Sequence, residues 1–274
     1  MSTRRSAAWL VLLAFAGSSP PVRGGDDVPD KPANVETDPP FDDFLVIPLR
    51  VHVLTATDLP EIDCKLTDDD VARVIKKANR VWHRAGIHWG LESVRREPAN
   101  HQDEFRATRE GEGPRGLGLY RTLVPDGSRE FDGLHVYYIH AFPVNGVWMG
   151  TNFAIVQETA RLRPVEGGID EPVPRVTAHE LGHALGLPHR QDRTNLLASG
   201  TTGTLLNTDE VDVTRKKARR VKGFRTTESV KTAAQDAEAA GDRDRAKLYW
   251  TWLAGIPGGA DESARELERL GATK

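Results

Sequence analysis

The chain has 274 residues, a formal net charge of −3 and a single cysteine. A hydrophobic fraction of 38% with a charged fraction of 28% is ordinary for a globular protein and excludes a wholly disordered, collagen-like or coiled-coil chain. One cysteine excludes both an intramolecular disulfide and a cysteine-based zinc cluster. The mild net charge gives no indication of a nucleic-acid partner, and we expect none.

Residues 1–16 have the pattern of a secretory signal peptide. Arg4 and Arg5 precede an apolar run, which ends in the small-residue pattern around Ala14 and Ala16. The run is far shorter than the ~20 residues that a membrane-spanning helix needs. We therefore expect a secreted or periplasmic protein without a transmembrane anchor, the alternative being an uncleaved anchor.

Residues 17–44 differ in composition from the rest of the chain. They are rich in proline and acidic residues and contain few large apolar side chains. Such a segment cannot bury enough apolar surface to offset the entropy of ordering it. The composition predicts a disordered linker or pro-segment, which also accounts for the negative net charge.

The first elements of a folded domain follow directly. Leu49, Val51 and Val53 alternate with polar residues, which predicts a half-buried strand. Thr67 and three aspartates then open an apolar pattern of helical period over residues 71–85. Gly86 stands where a glycine would end that helix.

The remaining pattern mixes strands with helices. Further strands are predicted at residues 87–91, 134–138 and 147–156, and helices at 176–185 and 210–221. This order indicates an α+β layer fold. We place a catalytic domain at residues 45–225 and a helical hairpin extension at 226–274.

Residues 176–189 contain the group of side chains that points to chemistry. His179 and His183 are four apart, so on a helix they project from one face, one turn apart. Gly186 can adopt a positive φ that ends the helix and turns the chain, which brings His189 back toward the other two histidines. Glu180 lies too far round the helix to be a further ligand.

Three neutral imidazoles with one open position are typical of a catalytic zinc site. The pattern therefore predicts one catalytic Zn²⁺ held by His179, His183 and His189. The ion would activate a water molecule, and Glu180 would act as general base in the hydrolysis of a peptide bond. An isolated motif of this kind also arises by chance, but Gly186 and the apolar helix face argue against chance here.

The sequence resembles the metzincin zinc metallopeptidases, whose signature His-Glu-x-x-His-x-x-Gly-x-x-His is matched in full by residues 179–189. The resemblance implies a twisted mixed sheet, two long helices, a small C-terminal subdomain and an edge strand that pairs with a peptide substrate. Residues 146–157 are the candidate for that strand, with Gly150, Asn152 and Ala154 as substrate-binding positions. The alternative is an ordinary core strand.

Two positions depart from the metzincin pattern. Metzincins place a methionine in a tight turn below the zinc, whereas this chain has no methionine after Met149. Residues 195–200 resemble that turn, with Leu197 at the methionine position. Arg190, directly after the third histidine, is unusual for the larger families, and the short spacing from His189 to Leu197 most resembles small pappalysin-like bacterial forms.

We therefore expect a secreted, monomeric zinc endopeptidase that acts on peptide or protein substrates. The alternative is a weak or inactive zinc-binding scaffold, because of Leu197 and Arg190. Two further features stay open. Cys64 could be a latency thiol or a plain buried one, and the basic run over residues 215–225 could bind a polyanion or simply face solvent.

Overall fold

The computed structural model describes residues 38–110 and 116–271. At its centre is a mixed sheet with the strand order β2-β1-β3-β5-β4. The strands are β1 (Leu45–Thr55), β2 (Ile87–Pro98), β3 (Leu134–Ile139), β4 (Gly146–Trp148), β5 (Phe153–Gln157) and β6 (Arg225–Thr226). The first four strands of this order are parallel, β4 is the antiparallel edge strand, and β6 pairs antiparallel with the start of β1.

Seven α-helices and three short 3-10 helices surround the sheet in the described part of the chain. The α-helices are α1 (Asp68–Trp82), α2 (Gln102–Glu110), α3 (Pro172–Ala184), α4 (Thr208–Ala218), α5 (Thr227–Ala239), α6 (Arg243–Ala254) and α7 (Ala260–Arg269). The 3-10 helices are Phe41–Asp43, His83–Ala85 and Leu117–Leu123. The predicted α+β class is confirmed. No helix in these residues is long and apolar enough to cross a membrane.

The ends of α1 follow from its sequence. The Thr67 hydroxyl accepts a hydrogen bond from the Asp70 backbone N–H, while the Asp70 carboxylate accepts one from the Thr67 N–H, which forms a complete capping box. Gly86 adopts φ 62° and ends the following 3-10 turn. The predicted start and stop of this helix are therefore confirmed.

One face of the sheet packs against α1 and α3. Leu49, Val51 and Val53 of β1 are fully buried in this core. The indole N–H of Trp82 in α1 donates to the Ala178 carbonyl of α3 over 3.2 Å. The two long helices are thus held against each other and against the sheet, which fixes the position of the histidine-bearing helix.

The prediction that β1 is half-buried is wrong, because its second face is also covered. His52 lies on that face and is fully buried. Its ring bonds Glu97 over 2.6 Å and His135 over 2.9 Å and stacks on Tyr137 at 4.2 Å. A polar side chain on a central strand can be buried when hydrogen bonds satisfy it. The alternation of polar and apolar residues in β1 therefore does not show that one face is exposed.

The C-terminal region, expected as a helical hairpin extension, contains a third helix. Residues 227–269 contain three helices, α5 to α7, whose core includes the buried side chains of Phe44 and Val46. All described residues belong to one compact unit. The boundary at residue 225 therefore falls inside a packed structure, because β6 pairs with β1 across it.

The expected disordered segment 17–44 also extends too far at its C-terminal end. Phe41–Asp43 form a 3-10 helix, and Phe44 is fully buried. Phe41 and Phe44 supply apolar contacts with the C-terminal helices. The signal peptide predicted at residues 1–16 and the remainder of the segment to residue 37 lie outside the described residues.

In the basic run over residues 215–225, some side chains contact other parts of the protein and others face solvent. The Arg215 guanidinium points inward and donates to the carbonyls of Ala85 and Asp43 over 2.9 and 2.8 Å. Lys222 pairs with Asp132, and Arg225 lies over the Tyr249 ring. The exposed members are Lys216, Lys217, Arg219, Arg220 and Lys222, so polyanion binding stays a prediction for these alone.

Trp252 connects the C-terminal helices to the sheet. Its ring lies against Gly90, where a Cβ would come within 2.6 Å of it, and its indole N–H donates to the Leu91 carbonyl over 2.9 Å.

We expect Trp252→Ala to lower the free energy of unfolding by about 3–5 kcal/mol, measured by urea denaturation. Val213→Ala at an exposed site is the control. A loss for Trp252→Ala as small as the control's would contradict an integral C-terminal subdomain.

His88 makes stability depend on pH. Burial lowers the pKa of His88 from 6.5 to about 3, so between these values the unfolded chain binds a proton that the folded chain does not. Stability is therefore lost as the pH falls from about 6.5 toward 3. Between pH 7 and pH 5 the free energy of unfolding should fall in both the wild type and His88→Gln. We expect the fall to be about 2 kcal/mol larger in the wild type.

The exposed His101 provides the control for this experiment. His101→Gln should keep the acid sensitivity of the wild type, because its side chain is 51% exposed. Equal losses in the His88→Gln and His101→Gln variants would show that His88 does not carry the effect.

Candidate active site

Helix α3 and the turn after it bring the three predicted histidines together. Nε2 of His183 lies 3.1 Å from Nε2 of His179 and 3.2 Å from Nε2 of His189. The helix ends where Gly186 adopts φ 87°, and the chain then returns His189 to the group. Among the described residues these three form the one group of at least three histidine, cysteine or acidic side chains close enough to share a metal ion.

Backbone carbonyls determine which nitrogens of the group carry protons. Nδ1 of His179 is 2.8 Å from the Leu196 carbonyl, and Nδ1 of His183 is 2.7 Å from the Leu187 carbonyl. A carbonyl can only accept, so each Nδ1 carries the ring proton and each Nε2 is a bare lone pair. The lone pairs of the first two histidines therefore face each other with no proton between them.

This donor set fits zinc. Two nitrogens at the usual zinc–imidazole distance in a tetrahedral site are about 3.3 Å apart, close to the spacing of the Nε2 atoms here. Burial lowers the pKa of His179 to about 3 and also lowers that of His183, which keeps both imidazoles in the neutral form that binds metal. The carbonyl bonds orient the rings in the manner typical of zinc ligands.

Glu180 lies beside the group and is 4% exposed. Burial raises the pKa of its carboxyl to about 8, and a hydrogen bond from the Trp148 backbone acts in the opposite direction. Trp148 belongs to β4, so the carboxyl is tied to the edge strand. Gly146 allows this approach, since a Cβ there would come within 2.6 Å of Val176 and 3.1 Å of the Glu180 carboxyl oxygen.

Leu197 occupies the place expected for it, in a turn that contacts α3. Its side chain is fully buried, and a Cβ on Gly182 would lie 3.3 Å from its Cδ1. The Leu197 N–H donates to the Asn195 side-chain oxygen over 2.6 Å. The neighbouring Leu196 supplies the carbonyl that orients His179, so the turn both packs under the helix and positions a ligand.

Sequence reasoning missed the polar contacts that hold this turn. The Glu210 carboxylate is 1% exposed and accepts hydrogen bonds from Arg190 over 2.6 Å, Asn195 over 2.8 Å and the Asn207 backbone over 2.8 Å. The spacing of Asn207 and Glu210 is that of a capping box and could have revealed the start of α4. Arg190 also pairs with Asp209, which gives this unusual position a structural role.

The structure divides the predicted substrate strand into two strands. Residues 146–157 form two strands, β4 and β5, because Gly150 at φ 79° turns the chain between them. Gly150 and Asn152 lie in this turn, and Ala154 is buried in β5 between β3 and β4. None of the three lines the cleft, whereas Gly146, Val147 and Trp148 of β4 do.

The cleft in front of the histidines has a volume of about 800 Å³. Its floor carries Glu180 and the three histidines, and β4 forms one side. The apolar side chains that also line it are those of Leu117, Val144, Leu162, Val176, Leu187 and Pro188, beside the polar Asn145, Arg175 and Ser199. The arrangement can therefore place an extended chain with apolar side chains beside a metal and a carboxyl group.

Cys64 is not part of this site. Its thiol is buried and donates to the Glu158 carboxylate over 3.3 Å. Burial raises the pKa of the Cys64 thiol, which disfavours the thiolate that binds metal. The structure therefore supports the plain buried thiol rather than the latency role.

A family model and two solved structures are similar to this chain. The family model described as Matrixin matches residues 58–222. Among solved structures, the chain is similar to archaemetzincin from Methanopyrus kandleri, with 14% identity, coverage of 66% of this chain and 99% of that one, and a TM-score of 0.43. It is also similar to metalloproteinase-II from Bacteroides fragilis, with 11% identity, coverage of 62% and 53%, and a TM-score of 0.32.

No curated protein sequence matches the chain significantly. The spacing after His189 favours a pappalysin-like form, whereas the family model that matches is that of the matrixins. The match includes the whole zinc motif at residues 179–189 and covers more than half of the chain. The chain therefore belongs to the matrixin family of metzincin-like zinc metallopeptidases.

Proposed function

We propose that the protein is a secreted zinc endopeptidase that hydrolyses peptide bonds in extended polypeptides. The observation that carries the proposal is the convergence of three imidazoles beside a buried glutamate, with Nε2 of His183 3.1 and 3.2 Å from the Nε2 atoms of His179 and His189. His179, His183 and His189 would hold one ion and leave a position open. The signal-peptide pattern of residues 1–16 supports secretion.

The chemistry divides between the ion and Glu180. Zinc bound to the three imidazoles would polarise the scissile carbonyl and make a water molecule more acidic. Burial raises the pKa of Glu180, but a bound zinc cation would favour the ionised form. The carboxylate would then accept a proton from the attacking water and pass it to the leaving nitrogen, so it begins and ends the reaction ionised. The backbone bond to Trp148 orients the carboxyl for both steps.

The substrate would bind along β4, the edge strand of the sheet. An extended peptide can pair with the free backbone groups of such a strand, and pockets then select its side chains. The apolar lining of the cleft favours apolar side chains next to the scissile bond. No charged group in the cleft is required for this mode of binding.

A zinc-binding scaffold without turnover is the second candidate, and Leu197 is the observation that favours it. Leucine replaces the methionine of the metzincin turn, but it fills the space against Gly182. Because hydrophobic substitutions of similar volume usually cost little, the packing argument favours an active enzyme. The scaffold would bind zinc tightly and cleave nothing.

Replacement of Glu180 separates the two candidates. We expect Glu180→Gln to bind one zinc per chain, as the wild type does, and to lose about 10²–10⁴-fold in kcat/KM on an unstructured protein. Zinc is measured by mass spectrometry and cleavage by peptide release. Activity retained in Glu180→Gln would contradict the assigned base, and zinc binding without cleavage by the wild type would support the scaffold.

Gly146 tests the proposed substrate strand. Gly146→Ala would push β4 away from Val176 and Glu180, since the added Cβ comes within 2.6 Å of the valine. We expect kcat/KM to fall at least about tenfold, because small displacements of positioning groups are costly, while zinc content stays unchanged. Gly118→Ala is the control, as its Cβ would meet nothing within 4 Å. Equal activity in both variants would exclude this position for substrate binding.

A further inference from the structure

Arg175 is a buried cation that lines the cleft, and its charge lowers the pKa of Glu180, but it has no step of its own in the proposed reaction. It lies on α3 one turn before His179, and it is 2% exposed. Charged side chains are seldom buried this far unless they are paired, yet no carboxylate in the described residues forms an ion pair with it. Burial lowers the pKa of Arg175 to about 10, so the guanidinium stays charged at neutral pH.

Backbone carbonyls take the place of a counter-ion. Nε of Arg175 donates to the Gly203 carbonyl over 3.1 Å. Nη2 donates to the Ala198 carbonyl over 2.5 Å and lies 3.4 Å from that of Asn195. All three acceptors belong to residues 195–203, which we call the floor segment. One side chain therefore connects the histidine-bearing helix to three points of a single loop.

The floor segment matters to the site in two ways. Its Leu196 carbonyl accepts the Nδ1 proton of His179 over 2.8 Å, and its Ser199 and Gly200 line the cleft. Nη1 of Arg175 packs 3.1 Å from the same Nδ1. Because that nitrogen gives its proton to Leu196, the guanidinium contacts the ring without bonding to it. Arg175 and His179 are thus held by the same loop.

We propose that Arg175 is a positioning residue that fixes the floor segment against α3 before any metal binds. The guanidinium presents several N–H groups in a rigid fork and can reach separated carbonyls, whereas a lysine ammonium is a single point. With the segment fixed, the Leu196 carbonyl is in place to orient His179. The inference rests on the proposed function, since it takes His179 as a ligand.

Hydrogen exchange of the metal-free wild type tests the proposal without any substitution. We expect the amides of Leu196, Ala198 and Leu205 to be protected in the absence of zinc, because their acceptors, the carbonyls of Leu205, Asn195 and Thr194, are already in place in and beside the segment. Little further protection should follow when zinc is added. Exchange at the rate of an open loop, with protection only after zinc, would overturn the proposal.

Two variants test the fork itself. Arg175→Lys keeps the charge and Arg175→Met removes it, and we expect both to weaken zinc binding by about 10–100-fold in chelator competition, as loss of a group that orients a ligand does. The control is Arg193→Met, an exposed arginine just before the floor segment. Wild-type affinity in Arg175→Lys would show that the charge, not the fork, matters and would overturn the proposal.

The two experiments also distinguish failure of the inference from failure of the proposed function. Absence of zinc binding by the wild type would contradict the endopeptidase and leave the exchange experiment to decide on the role of Arg175. Normal zinc binding by Arg175→Lys, Arg175→Met and the control would contradict the role of Arg175 and leave the proposed function intact. If Arg175→Met does not fold, Arg175→Lys and the exchange of the wild type still decide.

Discussion

The site depends on one electrostatic constraint, the close approach of bare imidazole nitrogens. Nε2 of His183 lies within 3.2 Å of the Nε2 atoms of both other histidines, and bare nitrogens this close are unfavourable neighbours unless a cation lies between them. They are held there by two hydrogen bonds from Nδ1 to backbone carbonyls, one in the turn after α3 and one in the floor segment. The other contacts of the site hold this turn and the floor segment in position against α3.

Residues from distant parts of the chain make the contacts that hold these elements in position. Helix α3 is held by α1 through the Trp82 contact and by the sheet through the hydrogen bond between the hydroxyls of Tyr138 in β3 and Thr177. Edge strand β4 approaches α3 because Gly146 has no side chain. The floor segment is held on one side by Arg175 and on the other by Glu210 through Asn195. Leu197 therefore lies in a loop that polar contacts fix independently of the residue at that position.

Local patterns were enough to predict the elements whose signals lie within one turn or one helix. The caps of α1 and the spacing of the histidines are of this kind, and Gly186 marks the end of α3. Other features depend on contacts between residues far apart in sequence. His52 is buried because Glu97 and His135 satisfy it, and alternation along β1 cannot reveal that. Arg175 likewise has no visible role until the floor segment folds back onto it.

The central claim is that three imidazoles bind one zinc ion and leave a position open for the reaction. X-ray absorption at the zinc edge tests this most directly on the zinc-loaded wild type. The account predicts three histidine nitrogens at about 2.0–2.1 Å with one further light ligand from solvent. A zinc ion closed by four protein ligands, or one with a sulfur ligand, would contradict it.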